Sequence, residues 1–197
     1  MDFIESLKRI AQESGGIIDN KTAAEHGVSR AMLSKLCSKH QIQRIARGQY
    51  ILEDDVQDEL LSVALRTQWL IFSHETALFL HGFSDRTPFV HTITVPSDKI
   101  PSKSMQEDCK IYYIKPKLFE LGKTILKTPA GNEVAGYDLE RTICDIIRSR
   151  SRVGDETFLF ALKKYVGSSQ KDLTKLYVYA KRLGVAGVLR RYLEVLL

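Results

Sequence analysis

The sequence predicts an α+β chain. It has an N-terminal winged helix-turn-helix over residues 1–52, followed over 53–197 by an α+β domain with a small sheet and a C-terminal helical run. Three observations predict it. Apolar residues recur at helical spacing in three short segments before residue 41. A basic hairpin pattern follows at 42–52. Beyond it, alternating stretches give way to helical periodicity from Asp155 onward.

Phe3, Ile4, Leu7, Ile10 and Ala11 define the first helix, which Gly15 and Gly16 stop. The piece "IIDN" is short and extended, and Asp19 or Asn20 caps a second helix over Lys21 to His26. Gly27 ends it, as the tight turn of a helix-turn-helix requires. Ser29 is the N-cap of a third helix, 30–40. At about 100° per residue, Leu33, Leu36, Cys37 and His40 share its inner side, with Met32 flanking, and Ala31, Ser34, Lys35 and Ser38 lie opposite. "IQRIARGQYIL" is a hairpin turning at Gly48, with Arg44, Arg47 and Gln49 exposed. His26 and His40 are expected to pack in this small core rather than to ligate.

An ordinary surface helix carries Glu and Lys in i,i+4 pairs. Here no acid occurs from Val28 to Leu52. Acids would repel phosphates, whereas small residues let a helix backbone sink into a major groove and serines reach base edges or phosphates. Lys35 is the central cation of the outward face, and Arg30 lies towards its flank. The DNA-binding candidates are therefore Ser29, Arg30, Ser34, Lys35 and Ser38 on the helix. Arg44, Arg47 and Gln49 are those on the wing, where Arg47 meets a phosphate or the minor groove. The plain alternative is a winged helix used only for protein contacts, whose wing is more often mixed in charge.

In the remainder, "LEDDVQDE" is an acidic linker into a helix striped by Val56, Leu60, Leu61, Ala64 and Leu65. "WLIFS" reads as a buried strand, and Ser73 caps "HETALFLHG", which Gly82 stops. "VHTITVP" and "CKIYYIK" are strands, and "KTILKTP" and "NEVAGYD" flank "AGN" as a hairpin. Asp138 caps "LERTICDIIRSR", and helices follow to the end, broken at "GSS" and Gly184.

Charge is distributed unevenly. Residues 1–52 hold 8 Lys/Arg and 5 Asp/Glu, 53–147 hold 10 and 15, and 148–197 hold 11 and 4. Two cationic regions around an acidic middle suggest a polyanion partner. In "SQKDLTKLYVYAKRLG", Lys171, Lys175 and Arg182 lie within about 40° of each other opposite the apolar stripe, with Lys181 beside them. Arg148, Arg150, Arg152, Lys163, Lys164, Arg190 and Arg191 add cations nearby. This is either a solvated face or a second polyanion surface that lengthens a DNA footprint or meets a partner.

Other chemistries find little support. No window approaches 18 apolar residues, so no membrane span is expected. The start lacks a basic n-region, and the three cysteines are far apart with no CxxC, which fits the cytoplasm. His74, Glu75 and His81 share a segment, but not with the HExxH spacing of a zinc site, and packing and hydrogen bonding at the sheet edge is the expected role. Asp138, Glu140 and Asp145 are carboxylates of one helix, with Glu140 and Arg141 as a buried polar anchor. There is no phosphate loop and no nucleophile elbow. No catalytic residue, cofactor or metal is expected.

Together, "GVSRAMLSKLCSKHQIQRIARGQYIL", "SHETALFLHGF…HTITVPS" and "DLERTICDII" resemble the AbiE-type (AbiEi) antitoxins of bacterial abortive-infection systems, and the length fits the streptococcal form. The resemblance implies a type IV toxin–antitoxin, phage-defence role. The N-terminal domain would bind inverted repeats upstream of its own operon, as two copies on double-stranded DNA, and repress it. The C-terminal domain would carry antitoxicity against a nucleotidyltransferase toxin without a tight complex. By position, the helix and wing residues named above match the recognition elements. The alternative is an enzyme that reverses or blocks the toxin's modification of its target.

Overall fold

The structure, a computed structural model, describes residues 3–196. The chain divides into two compact units, Met1–Arg66 with Thr128–Asn132, and Thr67–Lys127 with Glu133–Leu197.

The first unit contains α1 (Phe3–Glu13), β1 (Ile18–Asp19), α2 (Asn20–Glu25), α3 (Arg30–Ser38), β2 (Ile42–Ala46), β3 (Gln49–Leu52) and α4 (Glu59–Ala64). Its sheet is antiparallel in the order β1-β3-β2. Leu7, Ile10, Ile18, Ala23, Val28, Leu33, Leu36, Ile42 and Tyr50 form one core beneath the helices. This is the winged helix-turn-helix the periodicity predicts, with "IIDN" supplying the third strand.

The unit ends later than the expected boundary after Leu52, because α4 is held to it by buried polar contacts. Asp58 caps α4 by accepting from Leu61 N at 3.1 Å. Its other oxygen accepts from Thr128 Oγ1 at 2.6 Å and Asn132 Nδ2 at 2.8 Å. Asn132 Nδ2 also donates to the carbonyl of Gly15 at 3.0 Å. Gly15 has φ +68°, and a Cβ there would lie 2.2 Å from Asn132 Oδ1. Gly15→Ala combines left-handed strain with that clash, and it should destabilise the unit by more than about 1 kcal/mol in urea denaturation.

The second unit contains β4 (Ile71–Phe72), α5 (His74–Leu80), β5 (His91–Pro96), α6 (Lys103–Asp108), β6 (Cys109–Ile114), β7 (Lys123–Lys127) and β8 (Glu133–Tyr137). Helices α7 (Leu139–Arg148), α8 (Asp155–Gly167), α9 (Leu173–Leu183) and α10 (Ala186–Leu196) follow. The sheet order is β6-β5-β4-β8-β7. β4 pairs antiparallel with β5 and parallel with β8, β5 pairs parallel with β6, and β7–β8 is the expected antiparallel hairpin. "WLIFS" contributes only two strand residues, and α6, capped by Ser102, had no counterpart in the sequence reading.

Helix α7 organises this unit. Leu139, Ile143, Ile146 and Ile147 are buried, and so are Glu140, Arg141 and Asp145. Arg141 donates from Nε to Asp145 Oδ2 at 3.0 Å and from Nη1 to the carbonyls of Leu118 and Leu121, and its guanidinium lies 3.9 Å from the Tyr137 ring centroid. Burial pushes the Asp145 carboxyl up, against the pull of Arg141 and Arg148. Glu140 accepts from the Asp172 amide at 3.1 Å and from Tyr165 at 3.3 Å. The anticipated polar anchor thus ties α7 to α8 and to the start of α9. Gly184, left-handed at φ +75°, ends α9 as expected.

Candidate nucleic-acid interface

The helix-turn-helix is built by two caps and a glycine turn. Asp19 Oδ1 accepts from the amides of Lys21 and Thr22 at 2.8 and 3.1 Å, and Thr22 Oγ1 donates to Oδ2 at 2.6 Å. Burial opposes the Asp19 charge, but these bonds outweigh it and hold the carboxyl below its ordinary range. Gly27, at φ +78°, reverses the chain, and Val28 N returns to the Ala23 carbonyl at 2.8 Å. Ser29 then caps α3 by accepting from Met32 N at 3.2 Å.

Leu33 and Leu36 fix the inner face of α3. Ser29, Arg30, Ala31, Ser34, Lys35 and Ser38 are exposed, the arrangement expected from the wheel. Ser38 Oγ donates to the Lys35 carbonyl at 2.9 Å, so it faces a ligand as an acceptor. The helix ends two residues early. His40 is an exposed, left-handed residue at φ +52° and not a core histidine, because the helix has already turned at Lys39. His26 is half-buried, with Nδ1 2.9 Å from the Thr22 carbonyl.

The wing is a β2–β3 hairpin whose two-residue turn is Arg47–Gly48, with Gly48 at φ +79°. Arg44 and Arg47 are exposed, and Arg44 Nε donates to the Ala46 carbonyl at 3.3 Å. Gln49 is not on the exposed side of the wing. It is buried, donating to the Ser62 carbonyl at 3.0 Å and accepting from Ser62 Oγ at 2.6 Å. β3 is the central strand of its sheet and α4 covers it, so alternation did not place Gln49 in solvent. Lys39, also exposed, is a cation that the sequence reading omitted, although it sits in the same acid-free stretch. Five cations, Arg30, Lys35, Lys39, Arg44 and Arg47, are therefore all exposed on one helix and its wing, with no carboxylate between Val28 and Leu52.

The C-terminal cations are different in kind. Lys175 pairs with Asp138 at 3.0 Å and Glu140 at 3.2 Å. Burial works against its charge, yet the two carboxylates push its pKa up to about 12. Arg150 pairs with Asp155, Arg190 with Glu194, and Arg148 lies 3.9 Å from Asp145. Lys164, Lys171 and Arg152 donate to the carbonyls of Gly82, Ser168 and Ile111. The expected face of Lys171, Lys175 and Arg182 is thus not a free cationic stripe. The helix wheel showed their common direction, but not the carboxylates at the start of α7 that meet Lys175. Lys163, Lys181, Arg182 and Arg191 are exposed, with Lys181 4.5 Å from the Tyr177 ring centroid.

The histidine segment packs and hydrogen-bonds as expected, but beside the central strand β4 instead of at the sheet edge. His74 is wholly buried. Nδ1 lies 2.9 Å from Ser73 Oγ, Nε2 3.0 Å from Ser149 Oγ, and the ring stacks on Tyr112 at 3.5 Å. His81 Nε2 instead meets the Tyr137 carbonyl at 2.9 Å. Among the described residues no His, Cys, Asp and Glu cluster is arranged to hold a metal ion, and no helix is long and apolar enough to cross a membrane. Burial, then the charges of Arg148, Lys110, Arg141 and Arg152, hold the His74 pKa well below 6.5. The unfolded chain therefore binds this proton more readily. The stabilisation is complete above pH about 6.5 and falls by about 1.4 kcal/mol per pH unit below it, towards the folded pKa. Denaturation midpoints between pH 7.5 and 5 should show a shallower acid slope for His74→Gln.

The first unit is thus a winged helix-turn-helix with an exposed, acid-free basic surface on α3 and its wing. Residues 5–52 match the AbiEi_4 family, described as "Transcriptional regulator, AbiEi antitoxin". Over most of its length the chain is also similar in fold to the crystal structure of the RV2827C protein from Mycobacterium tuberculosis. The TM-score is 0.67 at 13% identity, covering 89% of this chain and 70% of that one. No curated protein matches the chain.

Proposed function

We propose that the chain is an autorepressing antitoxin. Its first unit binds inverted-repeat operator DNA of its own operon as two copies, and its second unit counteracts a nucleotidyltransferase toxin without a tight complex. One observation carries the DNA reading: α3 and its wing expose five cations and no acid over 25 consecutive residues, Val28 to Leu52. In this reading Ser29, Arg30, Ser34, Lys35 and Ser38 face the major groove, while Lys39, Arg44 and Arg47 grip phosphates. The antitoxin reading rests on the family match of residues 5–52. We favour binding over turnover: an enzyme would call on a carboxylate or on His74, and His74 is sealed from solvent.

Two variants test the groove assignment. Lys35→Ala should cost about 1–3 kcal/mol of discrimination between operator and unrelated DNA. Arg47→Ala should weaken binding to both equally and lower the salt slope by about 1 for each copy bound. Quantitative gel shifts against both DNAs read the difference. If both variants bind like the parent, α3 and the wing do not form the interface.

A further inference from the structure

The second unit holds a recess of ≈ 260 Å³ that the reading above does not use. It is smaller than the roughly 300–1,000 Å³ of sites for drug-sized ligands, and it suits one planar ring system. Its lining includes the polar Glu75, Thr92 and Lys110 and the apolar Pro88, Phe89 and Val90. Thr92 is spent on structure, its Oγ1 accepting from the Thr76 amide and donating to the Ser73 carbonyl. Glu75 is only half satisfied. Its Oε1 accepts from Lys110 Nζ at 2.8 Å, but its Oε2 is buried without a hydrogen-bond partner among the described residues. A buried carboxylate oxygen left without a donor is costly, so the recess is short of an N–H or O–H donor. Lys110 sets a positive group directly beside that vacant acceptor. Phe89 is fully exposed and Val90 half-exposed, so an aromatic face on this loop is spent on no core contact.

We propose that this recess binds a nucleobase. The ring stacks on Phe89, a base N–H donates to Glu75 Oε2, and the neighbouring carbonyl or ring nitrogen faces Lys110. Nucleobases present a donor next to an acceptor on one edge and a π-face for stacking, which is the chemistry this recess supplies. The base arrives either as a free nucleotide or as an unpaired base in a single strand.

The test is an amide chemical-shift titration of the full chain with AMP, CMP, GMP and UMP in turn, and with a single-stranded hexanucleotide. Saturable shifts at Phe89, Val90, Thr92 and Lys110 are expected for at least one. Phe89→Ala, at an exposed position, should keep the parent melting temperature and weaken that binding about tenfold. Glu75→Gln should change which base is preferred. Mononucleotides binding as tightly as the strand identify a free nucleotide, and tighter binding of the strand identifies an unpaired base. No saturable shift at these amides with any of the five ligands overturns the proposal, as does an unchanged affinity in Phe89→Ala. Shifts confined to α3 and the wing would also overturn it. No double-stranded DNA is used, so this result stands apart from the operator reading.

Discussion

Arg141→Ala should cost the second unit about 3–5 kcal/mol, because it leaves the buried Asp145 carboxylate without its hydrogen-bonding partner, with only Arg148 at 3.9 Å. Both side chains are wholly shielded from solvent. Arg141 also satisfies the carbonyls of Leu118 and Leu121 and packs over Tyr137, so one truncation orphans three acceptors and opens a void. A domain of ordinary stability has about 5–15 kcal/mol in total. The variant would therefore sit near its unfolding transition. Trp69, the single tryptophan, lies in this unit and reports denaturation directly. Arg141→Lys should recover little, since an ammonium lacks the planar fork that reaches the carboxylate and two carbonyls at once. Replacing Arg141 and Asp145 together by leucine should be less damaging than Arg141→Ala, because no charge is then stranded. A loss below about 1 kcal/mol for Arg141→Ala would contradict the anchoring role of α7.

The combined variant Lys39→Ala, Arg44→Ala and Arg47→Ala should lower the slope of log affinity against log salt by roughly 3 for each copy bound, while weakening binding to every DNA sequence. All three side chains are exposed, so the fold should change by no more than about 0.5 kcal/mol each. Circular dichroism and melting provide that control. Sequence preference should survive, because Lys35 and the serines of α3 remain. A slope equal to that of the parent would mean that the wing does not touch phosphate.

The N-terminal fold was legible because each element carries its own local signal. Asp19 and Ser29 cap where a capping residue precedes an apolar stripe, Gly27 and Gly48 turn where φ must be positive, and Leu33 and Leu36 mark the inner face. Period and charge also mark the acid-free face of α3. What sequence could not show is which exposed-looking positions another element covers. Gln49 alternates outward on paper, but α4 lies over its strand and Ser62 claims its amide. Lys175 lies with Lys171 and Arg182 on the wheel, but Asp138 and Glu140 from another helix meet it. The boundary moved for the same reason, since Asp58 reads as linker composition yet is the hydrogen-bonding hub that retains α4. The recess beside Phe89 was invisible because Glu75 and Lys110, on α5 and β6, are 35 residues apart and meet only through the sheet.

The central claim is that the acid-free surface of α3 and its wing holds DNA by neutralising phosphates. It is tested most directly by titrating the full chain against the DNA upstream of its own reading frame at several salt concentrations. Two copies that together place a few cations each on phosphates predict a linear log–log plot, its slope about −0.9 per neutralised phosphate and steeper than −4. A slope near zero, or binding to this DNA no tighter than to unrelated duplex at every salt concentration, would contradict it.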